Sequence, residues 1–363
     1  MSRIWFVAAG TGGHIFPGVA LANEIKRVEP AAEILFFGSK DRLEAQLVPK
    51  AGYPIHFLAA APWKGRGIFS RLMALVMVKV GFFQVLSLMM KGRPDVLVSV
   101  GGYISVPTAL AAWVCRVPLI LLEPNIRAGL ANRLISRLAR KAFCAPGSDA
   151  LKVFTCPVED AGNPIREDIR PVKIREEVKT LLILGGSQGA MSLCQAGLRA
   201  FAKLTLLYPS VRLVLQAGAK NQDIAQSLQK ELGLGEKSQV LPFIDNVPEA
   251  LSAADIVVAR AGAMTVAELC ASGLPTVFVP FPFAADDHQR LNARLLVNDG
   301  ASLMVDEKDG DLTEMLTREM ERLCGIEGRT LRPELSNHIL RWARPRATRE
   351  IAQQILSMRA PRG

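Results

Sequence analysis

Apolar runs of strand length recur along the chain, separated by longer stretches of helical period. In the first half they read RIWFVAAG, EILFFGS, IHFLAAA, DVLVSVGG, LILLEPN and KAFCAP. In the second half they read TLLILGGS, RLVLQAG, QVLPFI, DIVVARAG, TVFVPFP and ASLMVD. The runs are nearly continuous in apolar residues instead of alternating with polar ones. That is the pattern of strands covered on both faces, and alternation with helices joins such strands in parallel. Each series opens on a run that ends in glycines: Gly10, Gly12 and Gly13 in the first, Gly185, Gly186 and Gly189 in the second. The expected fold class is α/β, with two Rossmann-like domains whose parallel sheets carry helices on both faces.

The division is expected within 155–166, where Asn163-Pro164 combines a turn with a break, or in the charged stretch that follows. This gives a first domain over 1–165 and a second over 166–342. The helical segment at about 343–363, interrupted by Pro345, is expected to pack back on the first. Asp41-Arg-Leu-Glu44 has the spacing of a capping box at a helix start. The segment Ile68 to Arg93 is apolar enough to raise the question of a membrane span. Arg71, Lys79 and Gln84 interrupt it, and a charge near a bilayer centre is costly. It is read as a crossover helix with an apolar outer face, carrying Phe82 and Phe83, and basic flanks, suited to an anionic membrane surface. A buried core helix is the alternative.

At 363 residues the chain suits two domains. The six cysteines are scattered without a CxxC pair, which fits small core residues in a reducing compartment and not a disulfide frame or zinc site. The start runs straight into the first strand, so no signal peptide is expected. The net charge of +10 is uneven: residues 1–165 hold 19 Lys and Arg against 10 Asp and Glu, residues 166–363 hold 25 against 24. No acid lies between Glu44 and Asp95, while Lys50, Lys64, Arg66, Arg71, Lys79, Lys91 and Arg93 do. A basic field on one half calls for an anionic partner there. Nucleic acid is not expected, because no interleaved aromatics or known motif accompany the charge.

In open α/β sheets ligands sit at strand C-terminal ends. The loops there are Gly10 to His14, Gly101 to Ser105 and Glu123 to Asn125 in the first half. In the second they are Gly185 to Gly189, Arg260 to Thr265 and the stretch through Asp286 to Gln289. Ligand-facing edges on both domains imply a cleft. Glycines let the backbone approach a phosphate, and the titratable His14 beside three of them points to proton transfer. Thr265-Val-Ala-Glu268 also matches a capping box, so Glu268 has a purely structural reading too. Asp309-Gly-Asp311 reads as a solvated turn before a helix, and no metal-spaced cluster or GxGxxG occurs.

Taken together in this order, GTGGHIFPG, VGGYISVP, EPNIRAGLANR, GNPIR, LGGSQGA, FIDNV, ARAGAMTVAEL and FPFAADDHQRLNA resemble the MurG family of N-acetylglucosaminyltransferases. The resemblance runs from residue 8 to about 300. It implies a GT-B glycosyltransferase fold and inverting transfer of N-acetylglucosamine (GlcNAc) from UDP-GlcNAc to the 4-hydroxyl of the muramoyl sugar of lipid I, in peptidoglycan synthesis. The family's sugar-nucleotide contacts fall on Thr11, Gly12, Gly13, Asn125, Arg166, Ser187, Ile244, Ala263, Met264, Thr265, Val266, Glu268 and Gln289. By that resemblance the uracil meets backbone near Ile244, Glu268 holds the ribose, 263–265 face the diphosphate and Gln289 contacts the GlcNAc hydroxyls. His14 is the candidate base, its reference pKa near ~6.5 suiting neutral pH, or else a positioning group. Tyr103 and Ser105 are acceptor candidates, and Arg71, Lys79, Phe82 and Phe83 membrane candidates. No cofactor or essential metal is expected. The implied partners are UDP-GlcNAc, lipid I, an anionic membrane surface and other cell-wall synthesis proteins. The implied location is peripheral, on the cytoplasmic face of the bacterial cell membrane. The family often has His-Glu-Gln-Asn where this chain has Leu122-Glu-Pro-Asn125, so Pro124 removes a backbone donor there. Rival readings with the same fold are a UDP-GlcNAc 2-epimerase and a glycolipid synthase acting on diacylglycerol. A non-catalytic sugar-nucleotide-binding subunit is the rival from another class.

Overall fold

The structure, a computed structural model, describes residues 1–10, 12–59, 68–166, 168–186 and 189–358, those of 68–75 by backbone alone. The chain forms two compact units, Met1–Glu167 with Arg344–Gly363, and Asp168–Ala343.

The first unit is built on β1 (Arg3–Ala8), β2 (Glu33–Gly38), β3 (Ile55–Phe57), β4 (Val96–Gly101), β5 (Leu119–Glu123), β6 (Lys141–Cys144) and β7 (Val158–Asp160). They pair in parallel in the order β3-β2-β1-β4-β5-β6-β7. Its helices begin with α1 (Gly12–Val28), α2 (Glu44–Lys50), α3 (Ile68–Lys91), α4 (Ser105–Val114), α5 (Leu130–Ile135) and α6 (Ala150–Val153). The continuous apolar runs explain the layering. β1 sends Ile4 and Phe6 into one core with Leu21 and Ile25 of α1, and Trp5 and Val7 into the other with Val85 and Met89 of α3. Each such fully buried side chain contributes roughly 1.5–3 kcal/mol.

The second unit uses β8 (Thr180–Leu184), β9 (Arg212–Gln216), β10 (Ser238–Leu241), β11 (Ile256–Ala259), β12 (Thr276–Phe278) and β13 (Leu303–Met304), parallel in the order β10-β9-β8-β11-β12-β13. Around them lie α7 (Met191–Leu207), α8 (Gln222–Glu231), α9 (Val247–Ala253), α10 (Ala263–Ser272), α11 (His288–Asn298), α12 (Leu312–Cys324) and α13 (Ile326–Arg341). The last helix, α14 (Ala347–Ser357), belongs to the first unit, where Ile351 and Ile355 enter the α1 core and Gln354 bonds Glu159 and Lys141. In both sheets the winding reverses beside the first strand. The loops after β1 and β4, and those after β8 and β11, are thereby neighbours at one sheet edge.

Three local expectations are corrected. The stretch 155–166 contains β7, short and charged enough to read as a linker, and Thr348 Oγ1 donates to the Ile165 carbonyl at 2.8 Å. Arg166, expected in the second domain, therefore lies with the first unit. Asp41 does not cap α2: the helix starts at Glu44 after Leu43, whose side chain caps nothing, and Glu44 is turned inward to other amides. Likewise Thr265 does not cap α10, which starts at Ala263 after Gly262, so Glu268 lies in the second turn and is no capping-box acid.

Candidate active site

His14 lies in the first turn of α1, not in the loop before it, because the helix already starts at Gly12. Its Nδ1 is 3.0 Å from the Ala9 carbonyl oxygen. A carbonyl only accepts, so Nδ1 carries the proton in the neutral ring and Nε2 presents the lone pair. The other ring edge faces the turn after β4. A Cβ on Gly101, at φ +121°, would lie 3.2 Å from His14 Nε2. A Cβ on Gly102, at φ +97°, would lie 2.7 Å from the Ala9 oxygen. The glycine pair thus serves two needs, a left-handed backbone and close approach of the β4 turn to the β1 turn.

Two buried networks flank this turn. In the first, Glu44, fully buried, accepts from Gly10 N at 3.1 Å and from Ser39 N at 3.0 Å. Ser39 Oγ is in turn 2.6 Å from the Tyr103 hydroxyl. The Gly10 amide is therefore committed to a carboxylate, so an anion at this turn must be met by other amides. In the second, Glu123 at the end of β5 is 1% exposed. It accepts from Asn125 N and Nδ2, Gly129 N and Asn132 Nδ2, at 2.9–3.4 Å. Burial pushes the Glu123 carboxyl up from the usual range, and those four bonds oppose the shift. Asn132 also meets Ser99, whose hydroxyl donates to Ser105 Oγ at 2.9 Å. Ser105 is fully buried at the start of α4, so it braces this network and does not face an acceptor, contrary to expectation. The loop at Pro124 is held from outside itself: Asn163 Nδ2 donates to the Pro124 carbonyl at 2.9 Å and Ser148 Oγ to the Asn125 carbonyl at 2.8 Å. Asn163, from the GNPIR motif, so reaches the loop that precedes Asn125. Thr11 and Ser187 lie outside the described residues, as does the side chain of Arg71.

In the second unit, α10 begins directly after β11. Val266 N to Gly262 O is its first intrahelical bond, so the amides of Ala263, Met264 and Thr265 make up the turn ahead of it. The helix ends in Gly273, left-handed at φ +68°. Ala263 and Met264 are buried, whereas Thr265, Val266 and Glu268 are half-buried. The turn after β8 is crowded: a Cβ on Gly189 would lie 2.1 Å from the Ala217 oxygen, and Gln216 Nε2 donates to the Gly186 carbonyl. Ile244 is buried just ahead of α9, whose start is fixed by Asn246: its Oδ1 accepts from Glu249 N, and its Nδ2 donates to Glu249 Oε2. Gln289, on α11, accepts from Phe281 N at 3.0 Å and so ties its helix to the turn after β12. Asp286 and Asp287 between them are both left-handed, at φ +53° and +56°.

Several supporting side chains were not singled out from sequence. Arg260, almost fully buried at the end of β11, pairs with Glu307 at 2.5 Å and donates to the carbonyls of Val279 and Pro280 and to Ser192 Oγ. Arg290 pairs with the buried Asp306 at 2.6 Å. Asn292 donates to the Ala261 carbonyl at 3.1 Å. An arginine closing the apolar run DIVVAR was the one available signal. Asp311 of the DGD stretch caps α12 through Glu314 N, 3.0 Å away. Among the described residues no group of three or more His, Cys, Asp and Glu is placed to hold a metal.

On α3, Val76, Val80, Phe83 and Met90 are exposed, Phe83 to 64% and Met90 to 80%. Their spacing of three, four and seven residues puts them on one side, with Lys79 and Lys91 also exposed. Phe82 is half-buried and packs on the core beneath, edge-on to Phe83, so it does not belong to the outer face. The neighbouring α4 exposes Trp113 (62%) and Val114. Among the described residues no helix is long and apolar enough to cross a membrane.

The N-terminal domain model of glycosyltransferase family 28 matches residues 4–144, and its C-terminal domain model matches residues 180–324. A protein of Anaeromyxobacter sp. (strain K), named UDP-N-acetylglucosamine--N-acetylmuramyl-(pentapeptide) pyrophosphoryl-undecaprenol N-acetylglucosamine transferase, is 38% identical over 98% of this chain and 93% of its own. A protein of the same name from Nitrosococcus oceani is 39% identical over 88% of this chain and 89% of its own. The crystal structure of Acinetobacter baumannii MurG matches with a TM-score of 0.79 at 28% identity, covering 98% of this chain and all of that one. A UDP-GlcNAc 2-epimerase from Neisseria meningitidis, bound to UDP-GlcNAc, matches at 0.65 with 15% identity over 98% of this chain and 100% of that one, a likeness of fold alone.

Proposed function

The chain belongs to the MurG family of glycosyltransferases, and from that premise we propose that it transfers GlcNAc from UDP-GlcNAc to the muramoyl 4-hydroxyl of lipid I. The products are lipid II and UDP, and the anomeric centre inverts. The observation that carries the reading is the oriented His14, its Nδ1 proton on the Ala9 carbonyl and its Nε2 toward the Gly101 turn.

Inversion is a single in-line displacement: the hydroxyl loses its proton as it attacks the anomeric carbon and UDP departs. His14 Nε2 takes that proton, and the imidazolium so formed is held by the Ala9 carbonyl. Gly12 and Gly13 open the helix that carries it, with Asn125 across the edge and Tyr103 on the acceptor side. The donor belongs to the second unit. Backbone near Ile244 takes the uracil, Glu268 the ribose hydroxyls, and the first-turn amides at Ala263, Met264 and Thr265, beside Val266, meet the diphosphate. Charge grows on that diphosphate as the bond breaks, and a helix N-terminus opposes it without reorganising. Gln289 spends its oxygen on Phe281 N, so its Nε2 is the group it offers to a GlcNAc hydroxyl. No metal is essential in this scheme. The exposed α3 stripe with Lys79, Phe83 and the basic flanks rests on an anionic membrane surface, peripherally and on the cytoplasmic face, where the lipid-linked acceptor is presented.

The test is product analysis with sugar-labelled UDP-GlcNAc, a short-chain lipid I analogue and no added divalent ion. The expected result is a β-linked disaccharide product and UDP, with the label unchanged when the acceptor is left out. Conversion of UDP-GlcNAc to its 2-epimer, or transfer to diacylglycerol in place of lipid I, would overturn the assignment. A strict need for Mg²⁺ in single-turnover transfer would overturn the metal-free scheme.

A further inference from the structure

One peptide group is hydrogen-bonded on both sides by ionisable residues. The Ala9 carbonyl faces His14 Nδ1 at 3.0 Å, and the N–H of the same peptide unit, that of Gly10, donates to Glu44 Oε2 at 3.1 Å. In a trans peptide the C=O and N–H point in opposite directions, so carboxylate, peptide and imidazole lie in series. We propose that Glu44 is a positioning residue for the transfer reaction, acting on His14 through the Ala9–Gly10 peptide: it polarises that peptide, keeps the ring proton on Nδ1 and raises the basicity of Nε2. The proposal rests on the reading of His14 as the base.

The physics is that of a chain of hydrogen bonds in a low-dielectric site. A carboxylate pulling on the N–H leaves more negative charge on the carbonyl oxygen, which strengthens the bond it accepts from Nδ1. When Nε2 gains the acceptor's proton, the imidazolium is stabilised by the same oxygen. Glu44 is suited to this task by its rigidity. It is fully buried, its second oxygen is fixed by Ser39 N, and Ser39 Oγ meets the Tyr103 hydroxyl. Gly38, against which Glu44 packs, leaves no room for a side chain: a Cβ there would lie 2.6 Å from Glu44 Cγ. The residue at position 10 must also adopt φ +101°, which glycine permits. Among the described residues, the other titratable groups bonded into the networks beside the turn are Tyr103, reached through Ser39, and Glu123. Glu123 stands behind Asn132 and is bonded to Asn125, Gly129 and Asn132, not to the Ala9–Gly10 peptide.

The experiment is NMR of histidine-labelled protein, wild type against Glu44→Gln, with His14 assigned by its loss in His14→Ala. Wild-type His14 is expected in the Nδ1–H tautomer when neutral. In Glu44→Gln, which keeps an oxygen for one amide but removes the charge, its pKa is expected to fall by about 0.5–1 unit. The acid limb of the pH profile of kcat/KM should move down with it, while UDP-GlcNAc affinity stays unchanged. An unshifted His14 titration in folded Glu44→Gln, or an Nε2–H tautomer in the wild type, overturns the proposal. If the variant does not fold, the wild type decides alone: the Gly10 amide proton must titrate together with His14, and an insensitive one overturns the relay. A His14→Ala protein that still transfers GlcNAc would instead remove the base assignment and leave the tautomer and titration results standing.

Discussion

A histidine beside glycines is an ambiguous object until its hydrogen-bond partner is known. Here the Ala9 carbonyl sets the tautomer, Gly101 clears the space beside the ring and Gly102 the space beside the Ala9 carbonyl. Gly101→Ala should therefore act on the chemistry while sparing the donor. The new methyl forces a left-handed alanine, at a strain of roughly 1–3 kcal/mol, and presses on Nε2. Displacement of a reacting group by an ångström costs on the order of 10²-fold, so kcat should fall between ~10- and ~100-fold with UDP-GlcNAc affinity intact. Steady-state kinetics beside calorimetry reads both, and an unchanged kcat would contradict the geometry. At this scale the sequence was legible only in part. His14 and the glycines stood out because their residue types are unusual together. Glu44 did not, because its partner amide is 34 residues away and the pairing exists only once β1 and β2 lie side by side. Its spacing from Asp41 suggested a cap, and burial decided otherwise. Ser105 erred in the opposite direction: a serine in a motif was read as ligand-facing, and it is sealed inside.

Among the elements, the strands were the most legible, since runs buried on both faces carry no competing period. β7 was missed because three residues, one apolar and two acidic, give no such signal. The capping-box match at Thr265 to Glu268 points to a later start for α10, whereas the helix begins at Ala263 after Gly262. That difference matters, because it turns the amides of Ala263 to Thr265 into the helix's first turn and leaves Glu268 beyond it. For α3 the sequence reading of an apolar outer face agrees with the exposed stripe Val76, Val80, Phe83 and Met90, although Phe82 turned inward. Reversing Lys79 to Glu together with Phe83→Ser should weaken sedimentation with anionic vesicles by at least ~10-fold, each basic residue near such a surface contributing about 1 kcal/mol. Transfer to a water-soluble acceptor should persist. Undiminished vesicle binding would remove α3 from the membrane face.

On the scale of the whole molecule, two sheets of the same winding carry unequal charge, nearly all of the +10 lying in residues 1–165. The GT-B architecture gives each unit its own set of loops at strand C-terminal ends. The oriented His14 and the basic surface belong to the first, and the N-terminus of α10 with the Arg260–Glu307 and Arg290–Asp306 pairs to the second. Domain number and sheet type were readable from the two strand series. The supports Arg260–Glu307 and Arg290–Asp306 were not, because ion pairs between residues of different elements leave no trace in periodicity.

The central claim is this division of labour, and one paired measurement addresses it: the rate of GlcNAc transfer to a lipid I analogue and the UDP-GlcNAc dissociation constant, in wild type, His14→Ala and Glu268→Ala. The account predicts that His14→Ala loses transfer by ~100-fold or more and keeps donor affinity within about 2-fold, while Glu268→Ala weakens donor binding. Wild-type transfer by His14→Ala, or loss of UDP-GlcNAc binding in that variant, would contradict it.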